Sequence, residues 1–430
     1  MTSPPPPPEV RFAWERHTLD NGLRVVLHRD PSLPLLAVNL WYHVGSKNEQ
    51  PGKTGFAHLF EHMLFQGSEH VATNEHFRHV QEAGGVANGS TWYDRTNYFE
   101  TLPSQYLDLG LWLESDRMGF LLAALTQENL DNQREVVMNE RRQRVENQPY
   151  GRAMERVHEL LYPDHHPYHW PVIGYMDDIA RATLEDVRTF FRTFYAPNNA
   201  VLTLAGDFDP AHARDRVAAW FGDIPSGPPL PPVSFGAESP PGEWRGVIED
   251  DVRLPRLYVG FRTPAYGTTD WYAADLLGTL LGNGKSSPLY RDLVYARQIA
   301  QDIGVSVSPL ENGGTFLVVA TARPGVPLAQ LEEAILGHLE TCRQGRGEGD
   351  DHERARNQTA ADYMSALQKL DNRADLLSQN TTYFDDPERI NREIHRYWQL
   401  TREDLTRFAA QHLGDGRRAV VHVVPRGEAA

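Results

Sequence analysis

The two halves of this chain repeat one another, and a duplication of that length restricts the fold more than any other feature of the sequence. Thr183-Leu-Glu-Asp-Val-Arg-Thr-Phe-Phe, followed by Ala200-Val-Leu-Thr-Leu-Ala-Gly, is matched by Thr401-Arg-Glu-Asp-Leu-Thr-Arg-Phe-Ala, followed by Ala419-Val-Val-His-Val-Val-Pro. Each copy reads as a Thr N-cap, an acidic first turn, an apolar helix stripe and an alternating strand. The offset, from Thr183 to Thr401, is about half of a chain of 430 residues, whereas solenoid repeats have periods of about 20 to 50 residues. The repeated unit is therefore a domain. The same offset sets Leu36–Trp41 opposite Leu257–Phe261, and Met63–Gly67 opposite Leu280–Gly284. Two homologous domains are expected over residues 1–225 and 244–430, joined by a linker over 226–243 that contains Pro231-Pro232 and Pro240-Pro241.

Within each half the coarse order is strand, hairpin return, long helices, then a closing helix and strand. Gly22–Leu27 and Leu36–Tyr42 alternate, with the turn Asp30-Pro-Ser between them, and helical spacing runs over Thr54–Phe65, Thr73–Ala83 and Ser104–Leu122. Strands first and helices afterwards predict an α+β fold, with a largely antiparallel sheet in each half and helices packed on one face.

Composition narrows the function. The net charge is −16, from 42 basic and 58 acidic side chains. Such a surface repels phosphate backbones, which argues against nucleic acid as a partner. No run approaches the ~18 apolar residues of a membrane span, and the first residues hold neither a basic nor an apolar signal region. The expectation on this sequence is a cytoplasmic protein, or a periplasmic one if a leader has been removed. Cys342 is the one cysteine, so any metal must sit on His and carboxylates.

His58-Leu-Phe-Glu61-His62 lies in an apolar, helix-like segment. Residues four apart share a helix face, so the two imidazoles can chelate one ion. Glu61 falls on the same face, within reach of a water proton without being a ligand. The order inverts that of the commoner zinc-protease motif. Two satisfied histidines on an ordinary helix would have the same spacing. Zinc needs a third protein ligand and an open fourth position. The segment Leu130–Arg144 offers Glu135 and Glu140, with Val136, Val137 and Met138 expected to mark its buried face, and periodicity leaves the choice open.

Gly55-Phe-Ala-His58-Leu-Phe-Glu61-His62-Met-Leu-Phe-Gln-Gly67 resembles the active-site helix of the pitrilysin/insulinase family, in its mitochondrial processing peptidase-like branch. The similarity extends through Arg134–Glu140, Gly84–Thr91, Tyr162–Gly174, Asn198–Gly206 and Leu281–Leu289, which is nearly the whole chain. The resemblance implies one Zn2+ per chain, held by His58, His62 and Glu140, with Glu61 as general base. It also implies that Asn88, Gly89, Ser90 and Thr91 form an edge strand that pairs with extended substrate.

The departures from the family pattern matter as much. Gln133 stands where relatives carry another Glu. Val294 and Gln301 stand where the resemblance leads one to expect an Arg and a Tyr that hold the substrate backbone. In heteromeric relatives one subunit keeps the metal motif and the other keeps the Arg/Tyr pair. The resemblance thus implies the metal-bearing subunit of a heterodimeric zinc endopeptidase, whose partner is a homologous chain without the metal motif, or otherwise a homodimer. A non-catalytic scaffold subunit is the competing reading, and the intact His58-Glu61-His62 set speaks against it. The loop His165-His166-Pro-Tyr-His169 and the tract Arg141–Arg144 read as packing or solvated residues, and Leu281–Ser286 lacks a glycine needed for a phosphate loop.

Overall fold

The computed structural model describes residues 9–236, 242–346, 350–414 and 416–427. The first half runs β1 (Glu15–Thr18), β2 (Arg24–Arg29), β3 (Leu35–Tyr42), α1 (Phe56–Met63), α2 (Glu75–Glu82), β4 (Val86–Thr91) and β5 (Thr96–Pro103). It continues with α3 (Leu107–Ala124), α4 (Gln127–Arg141), α5 (Ala153–Leu161), α6 (Met176–Arg181), α7 (Leu184–Phe194), β6 (Ala200–Gly206) and α8 (Pro210–Phe221). The second half runs β7 (Gly242–Asp250), β8 (Arg256–Arg262), α9 (Thr269–Gly282), β9 (Ala300–Val307), β10 (Thr315–Ala322), α10 (Leu328–Arg343) and α11 (Asp351–Ala366). It closes with α12 (Leu370–Phe384), α13 (Arg389–Gln399), α14 (Arg402–His412) and β11 (Arg417–Pro425).

The strands form two sheets, ordered β1-β2-β6-β3-β5-β4 and β7-β11-β8-β10-β9. Apart from β1 the orders correspond, and the first residues of β2 and β7, Arg24 and Gly242, are separated by the same offset as Thr183 and Thr401. The two Thr caps expected from the repeat are present, as capping boxes of Thr183 with Asp186 and Thr401 with Asp404. Residues 225–236 hold no helix or strand, residues 237–241 lie outside the described residues, and β7 takes in Gly242 and Glu243 from the end of the expected linker.

The expected hairpin between the first long strands is not formed. The last strand of each half inserts between them, so β6 lies between β2 and β3, parallel to β2 and antiparallel to β3. β11 does the same between β7 and β8. A strand so placed is covered on both faces, and β6 is buried along its whole length. Ala200, Leu202 and Leu204 meet the first half's own helices, while Val201 faces the other way.

That second face is covered by the opposite half. Helix α12 packs across β3 and β6, with Leu377 beside Val26, Trp41 and Val201, and Ala374 against Ala37 and Ala205. Its Asp375 accepts from Trp41 Nε1 at 2.8 Å and from Asn97 Nδ2 at 3.1 Å. Reciprocally, α5 packs across β7, β8 and β11, and its stripe Ala153, Val157 and Leu161 meets Tyr258, Ala419 and Val421. Ala153 in α5 and Asp371 in α12 are equivalent positions of the repeat, so the duplicated helix is exchanged between the halves. Helices of each half cover one face of its own sheet, as expected, and the exchanged helix from the other half covers the second face.

Candidate metal centre

Helix α1 starts against a tight backbone crossing. Gly55 caps it in the left-handed region at φ 84°, and a Cβ on Gly174, itself at φ 76°, would lie 2.4 Å from the Gly55 amide nitrogen. Only glycine permits this approach. The buried Glu49 carboxylate accepts from the amides of Gly55 at 2.9 Å and Ala57 at 2.8 Å, filling the positive N-terminal end of the helix. Leu59, Phe60 and Met63 anchor the opposite face in the core.

The face left over carries the motif. His58 and His62 lie with ring centroids 4.8 Å apart. Helix α4 packs on α1 and brings Glu140 to them, with Glu140 Oε1 3.7 Å from His58 Nε2 and Oε2 3.1 Å from His62 Nε2. Donor atoms of His58, His62 and Glu140 all fall within 4.8 Å of one another. Ligands bound to a tetrahedral Zn2+ at ~2.0–2.1 Å are themselves about 3.4 Å apart, so the spacing suits that ion, as does the His2Glu donor set. Glu135, the other carboxylate on α4, is exposed. Val136 is 40% exposed as well, so the buried face of α4 runs through Leu130, Gln133 and Val137 and not through Val136.

Charge in the site is strongly biased by burial. Desolvation, with His62 beside it, lowers the His58 imidazolium to about 4, leaving a neutral ring able to ligate. His58 Nδ1 is buried without a hydrogen-bond partner. Burial raises the Glu61 carboxyl above its ordinary value, against the pull of the Thr91 side chain and of His62. Glu140 goes the other way. Although desolvation opposes ionisation there too, the His62 hydrogen bond and the charges of His58, His62 and Arg144 hold its carboxyl below the usual value.

Asn88, Gly89, Ser90 and Thr91 lie on β4, the outermost strand of the first sheet, which pairs on one side only, with β5. Helix α1 packs against β4, so the motif and the open strand edge are neighbours. A Cβ on Gly89 would press Phe65 and Tyr98 at 3.1 and 3.2 Å. Ser90 Oγ donates to Asn97 Oδ1 at 2.7 Å, which holds β4 on β5.

Three contributors were not read from the sequence. Glu49 and Gly174 have no local signal, because their partners are distant backbone. Arg144 does have one, four residues after Glu140, and its Nη1 lies 2.6 Å from Glu140 Oε1. In the tract Arg141–Arg144 the last three residues are exposed, as expected, while Arg141 is buried and donates to Glu155 at 2.6 Å and to the Gly174 carbonyl at 2.8 Å. His166 and His169 are packed, as expected, with His169 Nδ1 2.7 Å from the Tyr162 carbonyl. A second converging set, His76, Glu100 and Glu114, already holds the Arg117 guanidinium, 3.1 Å from His76 and bonded to Glu114.

Residues 24–169 match the family described as "Insulinase (Peptidase family M16)", and residues 181–359 match "Peptidase M16 inactive domain". The zinc protease PqqE of Helicobacter pylori is 31% identical over 420 residues, covering 96% of this chain and 93% of that one. The chain belongs to peptidase family M16. A crystal structure of a protease from Helicobacter pylori matches this M16 chain at TM-score 0.91 and 30% identity, over 96% of this chain and 100% of that one. The periplasmic protease PqqL of Escherichia coli shares the fold at TM-score 0.78 and 19% identity, and there the match covers 97% of this chain but 48% of that one.

The M16 repeat explains why the second match carries the word inactive. Leu276, Thr279, Leu280 and Gln358 occupy the repeat positions of His58, Glu61, His62 and Glu140, and none of the four keeps the residue it matches. Val294 is buried in the second core, and Gln301 is an exposed residue of β9. No helix among the described residues is long and apolar enough to cross a membrane.

Proposed function

We propose that this chain is the metal-bearing subunit of a zinc endopeptidase that cuts peptides or unfolded segments. The convergence of His58, His62 and Glu140 within 4.8 Å, with Glu61 on the same helix as the two histidines, carries this reading. The zinc proteases among its relatives support it.

His58, His62 and Glu140 would hold the metal, which when bound supplies a Lewis acid and makes water more acidic. Glu61 does the proton work. A carboxylate whose pKa burial raises accepts a proton from the attacking water and returns it to the departing amine. Arg144 and His62 fix the Glu140 carboxylate between them. The free edge of β4 accepts an extended peptide through backbone pairing, with little demand on sequence.

The second half offers no equivalent of the Arg/Tyr pair, so a homologous partner chain supplies it across a closed two-subunit chamber. The PqqL match, in which this chain aligns with about half of a longer one, is in keeping with two such modules acting together. The direct test is cleavage of a quenched unfolded peptide by the purified protein with its partner. Activity should vanish with a chelator and return with zinc. Undiminished cleavage in chelator would exclude the metal reading.

A further inference from the structure

The second half contains a cavity of about 460 Å³, within the ~300–1,000 Å³ range of small-molecule sites. It lies among α9, α10, α14 and the π-helical segment Tyr290–Ala296. Its apolar wall is Leu277, Leu280, Leu281, Leu405 and the Cys342 side chain. Its polar side carries Arg291, Arg346 and Arg402, with His352 beside them.

The duplication provides an internal control. Leu59, Met63 and Val187 are the first-half counterparts of Leu277, Leu281 and Leu405, and all three are packed in the first core. Leu184, the counterpart of Arg402, also packs against that core. Leu277, Leu281 and Leu405 are buried in the second core as well, so the halves differ at the rim, where the exposed Arg402 stands in place of the partly buried Leu184. Arg291, Arg346 and Arg402 are all solvent-exposed, which places them at the mouth of the cavity, where a guanidinium can meet the head of an incoming anion.

The charges at the rim are only partly matched. Arg291 pairs with Asp351 at 3.0 Å, and His338 with Asp292 at 2.9 Å. Arg402 and Arg346 form no ion pair among the described residues. His352 Nε2 is buried without a hydrogen-bond partner. The lining holds three arginines and two carboxylates, Asp292 and Asp351, both of which are engaged in the pairs just described.

We propose that this cavity binds a small amphipathic anion, a carboxylate head on an unbranched hydrocarbon tail, with Arg402 and Arg346 receiving the head and Leu277, Leu281 and Leu405 the tail. A volume of about 460 Å³ suits a small molecule, and guanidinium groups at the mouth of an apolar wall suit a ligand with both an anionic head and an apolar tail. The site uses none of the metal-motif residues, so it stands whether or not the chain is a peptidase.

The test is isothermal titration of the full-length, metal-loaded protein with decanoate, decanol and acetate. Decanoate should bind at least about tenfold more tightly than either of the others, since head and tail contribute together. Arg402→Leu, which installs the first half's residue, should weaken decanoate at least about fivefold with zinc content and Tm unchanged. Arg346→Ala serves the same purpose if Arg402→Leu does not fold. Cys342 is the one thiol of the chain, so bound decanoate should also slow its modification by a thiol reagent. Absence of decanoate binding, equal affinity for decanol, unchanged affinity in the arginine variants, or no protection of Cys342 would each overturn the proposal.

Discussion

His62 Nε2 stands 3.1 Å from Glu140 Oε2, although the two residues are held by helices that chain order keeps far apart. The distance is set by the packing of α1 on α4, and α1 is itself fixed by the Gly55–Gly174 crossing and the Glu49 cap. Such a site is organised before a ligand arrives, which for a metal means that affinity depends on few degrees of freedom.

Purified protein should carry about one zinc per chain, as three protein ligands with an open fourth position suit that ion. His58→Ala and His62→Ala should lose most of it, and Glu140→Gln should retain it weakly, by elemental analysis after dialysis. Full zinc in both histidine variants contradicts the assignment.

Glu61→Gln separates binding from chemistry. The amide cannot take up a proton, so cleavage should fall at least about a hundredfold while zinc content stays the same. An active Glu61→Gln protein rules out the proposed base.

The exchange of α5 and α12 predicts that the halves do not fold alone. Residues 9–236 by themselves leave Val26, Trp41 and Val201 uncovered, and should bind a hydrophobic dye and aggregate, whereas co-expression with residues 242–427 should restore a soluble complex. Within the intact chain, Leu377→Ala on α12 should cost about 2–4 kcal/mol in urea denaturation, because it empties a fully buried site at that junction.

Glu332 ties α10 to the second sheet through Arg245 Nη1 at 3.1 Å and His422 Nε2 at 3.1 Å. Desolvation opposes its charge, but the His422 and Arg245 hydrogen bonds win and lower its pKa from 4.5 to about 2. A depressed carboxyl stabilises the fold above its unfolded pKa and loses that contribution as pH falls from 4.5 towards 2. Glu332→Gln should therefore be less stable by ~1–2 kcal/mol at pH 7, a figure discounted because Arg245 is half exposed, and the difference should shrink steadily below pH 4.5. A pH-independent difference would point to packing alone.

Adding a homologous chain that carries the Arg/Tyr pair should raise cleavage of a quenched peptide at least about tenfold, since preorganised donors to a developing oxyanion are commonly worth that or more. If the isolated chain already equals the mixture in specific activity, a self-sufficient homodimer replaces the heterodimer.

Local pattern determined a good deal of this protein. The Thr183 and Thr401 caps, the alternating closing strands and the constant offset between the halves are each set by residues near one another in sequence or by direct comparison of the two copies, so two α+β units could be read without coordinates. His58, Glu61 and His62 were equally legible, since a four-residue spacing on a helix fixes a shared face. Tertiary structure decided the rest. Helical periodicity treats Glu135 and Glu140 alike, and only the contact of α4 with α1 leaves one exposed and brings the other to the imidazoles. Strand propensity cannot tell a hairpin from two strands parted by a third, so the insertion of β6 between β2 and β3 was hidden. Nor does any local signal mark the exchange of α5 and α12, because an apolar helix face records that it must be covered and not which sheet will cover it.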